Sequence, residues 1–150
     1  MNSKKTPDVS VMEVFIASKS KQQLFYFQAA NPNSSAYNMW LELPVAEYGD
    51  IGDSAIERAF STLCRKHSSL RTAFEIKNGQ LMEHVYAEIA MEILHSPQQN
   101  KNEISEFLAK PFILTTPGLF RALNLKDENG KSSAIVFSAH HIVCDGVSLA

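Results

Sequence analysis

The stretch Ser132 to His140, SSAIVFSAH, constrains this chain more than any other. Ala134 to Phe137 is apolar without a break, so a strand here has both faces covered and belongs inside a sheet rather than at its edge. It follows GLFRALNLK and the turn residues DENG, a pattern that predicts a hairpin. A second hairpin is predicted upstream from LRTAFEI, KNGQ and LMEHVY, with Asn78-Gly79 as the tight turn. Helical patterns supply the covering layer. DSAIERAFSTLCRKH puts Ile56, Ala59, Phe60 and Leu63 on one face at 3–4 spacing, with Asp53 or Ser54 able to cap it. SKSKQQLFYFQAAN carries Leu24, Phe25 and Phe27 after a polar start and suits a short helix. NEISEFLAKPF carries Ile104, Phe107 and Leu108 and is ended by Pro111. MWLELPV, which meets Pro44, and MEILHS read as short strands, and ANPNSSAY as a loop. Helices between and after hairpins predict an α+β fold, a mixed α/β sandwich with helices layered on a sheet.

A chain of 150 residues suits one domain or one lobe of a larger one. Its net charge is -2 with no basic block, which argues against a nucleic-acid partner. Two cysteines, Cys64 and Cys144, do not make a disulfide scaffold and fit a reducing compartment, so the cytoplasm is expected. The N-terminal MNSKKTPDVSVMEVFIAS imitates a secretory signal, but Ser10 and Glu13 interrupt its apolar run. No stretch approaches the roughly 20 apolar residues that span a bilayer, so no membrane partner is expected. Residues 1–10 read as a leader and 11–150 as one folded unit.

The chemistry-bearing string is SAHHIVCDGVSLA, Ser138 to Ala150. Neighbours on a strand point to opposite faces, so His140 and His141 have different jobs. One can face a cavity while the other packs into the structure. Gly146 permits a tight turn or close approach to a ligand, and Ser148 can cap a following helix. A strand, a sharp turn and a helix N-terminus present a base beside backbone N–H donors. His140, His141 and Cys144 are all conceivable metal ligands, but adjacent strand residues rarely converge on one ion and no fourth ligand is in view, so no metal is expected. Cys144 reads as a small buried hydrophobe rather than a nucleophile. His84 and His95 have no companions in the sequence and read as surface or edge residues, and Phe25-Tyr26-Phe27 reads as core.

H-H-x-x-x-D-G followed by a small residue and Ser resembles the signature of condensation domains of nonribosomal peptide synthetases, within the chloramphenicol-acetyltransferase-like acyltransferases. In random order this composition gives the string in roughly 2 of 10,000 chains, so coincidence is a poor account of it. RKHSSLRTAF, Arg65 to Phe74, resembles a second segment of that family, with Lys66 inserted between Arg65 and His67. SKSKQQLFYF, Ser18 to Phe27, is similar to the family's opening segment; it keeps Ser18 and Leu24, but Ser20, Lys21 and Gln23 stand where Ala, Gln and Arg are usual. SSAYNMWLEL and PFILTTPGLFRALNL resemble the segments between, so the likeness runs in order over nearly the whole chain.

The resemblance implies the N-terminal lobe of a V-shaped, two-lobed domain whose active site lies in a tunnel between the lobes. It implies amide formation between a carrier-bound acyl or peptidyl thioester and an acceptor amine. The partners implied are peptidyl or acyl carrier proteins and the C-terminal lobe. No cofactor is implied for this lobe, the substrates riding on the carriers' phosphopantetheine. His141 takes the role of base or amine-positioning group. His140 and His67 are expected to be structural. Asp145 is expected to hold the loop by pairing with Arg71, or else Arg65, and Gly146 to offer a backbone N–H to the oxyanion. Two alternatives stand beside this reading: a non-catalytic lobe that docks carriers or partners, and a coenzyme-A-dependent acyltransferase of the same superfamily.

Overall fold

The structure is a computed structural model and describes residues 9–97 and 101–145. Among the described residues, seven strands form two sheets, with three helices packed on them.

The smaller sheet is antiparallel, in the order β1 (Val11–Ile16), β4 (Gln80–Tyr86), β3 (Thr72–Lys77). Strands β3 and β4 form the expected hairpin, with Lys77 opposite Gln80. Asn78 and Gly79 take φ of 52° and 78°, the left-handed geometry that such a tight turn demands. Strand β1 is a departure from the sequence reading. Its residues, VMEVFI, were legible only as part of a broken signal-like run, because apolar side chains fall on both of its faces and no period-2 alternation marks it.

The larger sheet has the order β2 (Asn38–Pro44), β7 (Ser132–His140), β6 (Phe120–Lys126), β5 (Glu92–Ser96). β7 pairs antiparallel with β2 and with β6, and β5 runs parallel to β6. The apolar run therefore sits inside the sheet. Its alternate side chains serve two cores. Ile135 and Ala139 meet α2 (Asp53–Lys66) through Ile56, Phe60 and Cys64. Ala134 and Val136 face the other way, onto Phe107 of α3 (Lys101–Ala109). Phe60 stacks on Phe120 and Phe137, with ring centroids 5.6 and 5.1 Å apart. A third core joins Phe25 of α1 (Lys19–Ala30) to Phe74, Leu81, Phe112 and Ile142, welding the small sheet to the end of β7. The α+β expectation holds.

Three local expectations are corrected. The N-cap of α2 is Gly52, without a side-chain bond, rather than Asp53 or Ser54. Asp53 lies in the first turn, where its carboxylate complements the helix dipole and binds Lys126. The buried face of α2 is Ile56, Phe60 and Cys64; Leu63 stays partly exposed at its border. The Phe25–Tyr26–Phe27 cluster divides: Phe25 is core, whereas Tyr26 and Phe27 are exposed. Helix α3 stops at Ala109, two residues before Pro111, because the residue preceding a proline is pushed out of the helical region. Among the described residues no helix is long and apolar enough to cross a membrane.

Candidate active site at the end of strand β7

Strand β7 ends with His140 opposite Asn38 of β2. The chain then turns: Val143 N–H reaches the His140 carbonyl at 3.1 Å, and His141 N–H reaches the Tyr37 carbonyl at 2.9 Å. The two imidazoles part here, His140 at the last strand position going into the interior and His141 in the turn going out to solvent.

His140 is fully buried, with the rings of Tyr37 and Phe112 each 6.3 Å away. Its Nδ1 accepts the Ile142 N–H at 3.1 Å, so Nε2 carries the ring proton and points at Gln28 Oε1, 3.3 Å off. Burial pushes its pKa down to about 4, the neighbouring His141 adding to the shift. The ring is neutral at pH 7. His141 has the opposite tautomer. Its Nδ1 lies 2.8 Å from the Cys144 carbonyl, which can only accept, so Nδ1 carries the proton and Nε2 keeps its lone pair. A turn thus presents an exposed imidazole with a defined basic nitrogen.

That imidazole opens onto a cleft of about 550 Å³ between α1 and the turn, lined by Ser20, Lys21, Gln23, Tyr37 and Asp145 among others. Lys21 gives both carboxylate oxygens of Glu83 a 2.7 Å bond, so its charge is matched inside the protein. The three positions of α1 that depart from the resembled segment therefore line this cleft. A second pocket of about 330 Å³, mostly apolar, lies on the α2 face between Leu41, Leu70 and Phe137, and shares Val143 and Cys144 with the cleft. Burial, followed by the charge of Asp145, pushes Cys144 up to about 11, leaving a protonated thiol at neutral pH.

Arg71 and Arg65 take other places. The Arg71 guanidinium donates to the carbonyls of Cys64 (2.9 Å), Ala87 (3.1 Å) and Tyr86. It ties the end of α2 to the end of β4, a different task from the aspartate pairing expected of it. Three carbonyls converge there because the chain leaves α2 through a short 3₁₀ turn, Ser68–Arg71, directly into β3. Arg65 is exposed on α2, bonded to Thr62 within its own helix. Asp145 is exposed at the cleft. His67 caps the C-terminus of α2 and borders the apolar pocket. Gly146 and Ser148 lie outside the described residues. Among those described, no three His, Cys, Asp or Glu side chains gather as a metal would require.

Sequence reasoning missed Gln28. It is 4% exposed and buried beside Phe25 on α1, although its type belongs on the wet side. A polar residue three positions after an apolar anchor, on the same helix face, was the available signal. It also missed that His95 has companions. Its Nδ1 lies 3.3 Å from Asn124 Nδ2 and 3.7 Å from Asp53, partners 29 and 42 positions away in the sequence.

Comparison with known proteins places the chain in a family. The family model described as "Condensation domain" matches residues 12–150. The chain is 30% identical over 140 residues to bacitracin synthase 3 of Bacillus licheniformis, covering 92% of this chain and 2% of that protein. It is 30% identical over 143 residues to gramicidin S synthase 2 of Brevibacillus brevis, covering 93% and 3%. Among solved structures, a four-domain nonribosomal peptide synthetase bound to AMP and glycine superposes with a TM-score of 0.77 at 18% identity, over 96% of this chain and 11% of the other. The first condensation domain of the calcium-dependent antibiotic synthetase, in complex with a substrate analogue, superposes with a TM-score of 0.75 at 16% identity, over 92% and 35%. The chain thus spans a few hundredths of these curated relatives and about a third of that solved domain. With its fold, its ordered segments and the match over residues 12–150 in agreement, the chain belongs to the condensation-domain family.

Proposed function

We propose that this chain carries the His-His active-site half of a condensation domain that joins a carrier-bound acyl or peptidyl thioester to an acceptor amine. The observation that carries the reading is the tautomer of His141. With Nδ1–H committed to the Cys144 carbonyl, Nε2 is left as a hydrogen-bond acceptor on a residue that lines the open cleft. An amine docked there gives its proton to Nε2 as its nitrogen attacks the thioester carbon. The tetrahedral intermediate then expels the carrier's thiolate, which takes the proton back from the imidazolium, so the ring ends as it began. In this reading His140 and Asp145 shape the turn and Gly146 offers its N–H to the oxyanion. The substrates arrive on phosphopantetheine arms of carrier proteins, and the second lobe closes the tunnel. Two free thiols fit a cytoplasmic setting.

The test is His141→Ala in the native polypeptide, with amide formation followed from loaded carriers. Loss of a general base costs about 100-fold or more. A rate within a few-fold of wild type overturns the assignment. The unusual Ser20, Lys21 and Gln23 on the cleft wall favour a second reading, a lobe that docks carriers without turnover. Carrier binding in the wild type with no amide formed would select it.

A further inference from the structure

We propose that Gln28 is a positioning residue for this site, fixing the tautomer of His140 and through it the turn that carries His141. The inference rests on the reading of His141 as the group that meets the amine. Gln28 sits on α1 with its side-chain nitrogen 3.3, 3.4 and 3.0 Å from the carbonyls of Asn31, Pro32 and Ser34. Carbonyls only accept, so that nitrogen cannot exchange places with its oxygen without setting acceptors against acceptors. The oxygen is thereby held towards His140. It too only accepts, which requires the proton on His140 Nε2 and leaves Nδ1 free to take the Ile142 N–H.

Each step is forced by the one before. The loop carbonyls orient the amide, the amide selects the tautomer, and the tautomer receives the backbone N–H next to His141. The same loop, residues 31–34, leads into Tyr37, whose carbonyl takes the His141 N–H. Gln28 therefore touches both the ring that receives the Ile142 N–H and the loop that leads to the Tyr37 carbonyl. With the proton on Nδ1 instead, two N–H groups would face each other at the Ile142 contact and the turn would have to move.

Two variants and one spectrum test this. Gln28→Met keeps the length and removes both hydrogen-bonding groups. Gln28→Glu keeps an acceptor and adds a charge that favours the protonated ring, which cannot accept the Ile142 N–H. In the native polypeptide Gln28→Met lowers kcat about 10- to 100-fold with KM within about twofold, the scale of a misplaced reacting group. Gln28→Glu moves the acid limb of the kcat profile to higher pH, a displacement that a purely structural role would not give. Histidine-selective ¹⁵N NMR of the 150-residue wild-type chain shows His140 as Nε2–H and His141 as Nδ1–H, and this readout needs no variant to fold. A wild-type His140 protonated on Nδ1 overturns the proposal, as do two folded variants with the wild-type rate and profile. Loss of the base reading looks different. His141→Ala would then keep its rate while the two tautomers stay as described.

Discussion

Burial holds the His140 imidazole neutral in the folded chain down to about pH 4, whereas its ordinary value is 6.5. Between those two values the unfolded chain binds a proton that the folded chain does not. Stability therefore rises with pH across that window, is fully present above about 6.5, and is lost on acidification towards 4. The full difference corresponds to about 3 kcal/mol. We expect urea unfolding at pH 7 and pH 4.5 to show a fall in stability that His140→Asn largely removes, since the asparagine oxygen can still accept the Ile142 N–H and carries no titrating proton. Equal pH dependence in wild type and variant would assign the acid sensitivity to other groups. At this scale the pair was partly legible. Strand alternation predicts that the two rings part, and the structure sends them to opposite sides, with His141 in the turn rather than on the strand. What each ring bonds was not legible, because Gln28 lies 112 positions from His140 and only the fold brings them together.

Helix α3 shows how an element is fixed by a residue outside it. Arg121 of β6 is 2% exposed, with its guanidinium 4.1 Å from the centre of the Phe112 ring and 5.3 Å from that of Phe107. It donates to the Phe107 carbonyl at 2.9 Å and to the Lys110 carbonyl, two of the orphan acceptors at the helix end. Asn38 Nδ2 covers the Leu108 and Lys110 carbonyls at 3.1 and 2.9 Å. The Phe107 carbonyl thus depends on Arg121. Arg121→Met should cost about 2–3 kcal/mol through that unpaired acceptor and the lost stacking. Arg121→Lys should recover little, because an ammonium has neither the planar fork nor the stacking face. Chemical denaturation of both variants checks this, and full stability in the lysine variant would show that charge alone suffices. Elements with a strong local signal were legible: the Asn78-Gly79 hairpin, the helices and the apolar β7. Strand β1 was not, because only its pairing with β4 makes VMEVFI a strand. The Gly52 cap was hidden for a related reason, since the carboxylate of Asp53 is drawn to Lys126, 73 positions away.

Taken whole, the molecule leaves apolar surface that its own two sheets do not cover. Trp40 on the edge strand β2 is 58% exposed, and Phe15 and Ile16 on the edge strand β1 are 50% and 61% exposed. β2 pairs only with β7 and β1 only with β4, so one side of each has no strand beside it among the described residues. The cleft at His141 is likewise open, and an open cleft leaves a charged intermediate in water, where fixed dipoles act weakly. The solved condensation domain matched here is nearly three times as long as the segment this chain covers, the overlap being 35% of it. If the remaining two-thirds of such a domain supplies the opposite wall, the 150-residue chain alone should form amide from loaded carriers at no more than the uncatalysed rate, while keeping the His140 and His141 tautomers described above. Joined to that second lobe, the same His141 should gain a rate that His141→Ala abolishes. Paired assays of the chain alone and the joined form decide the matter. Turnover by the chain alone would mean that the open cleft is already a sufficient active site and that the second lobe serves carriers rather than chemistry.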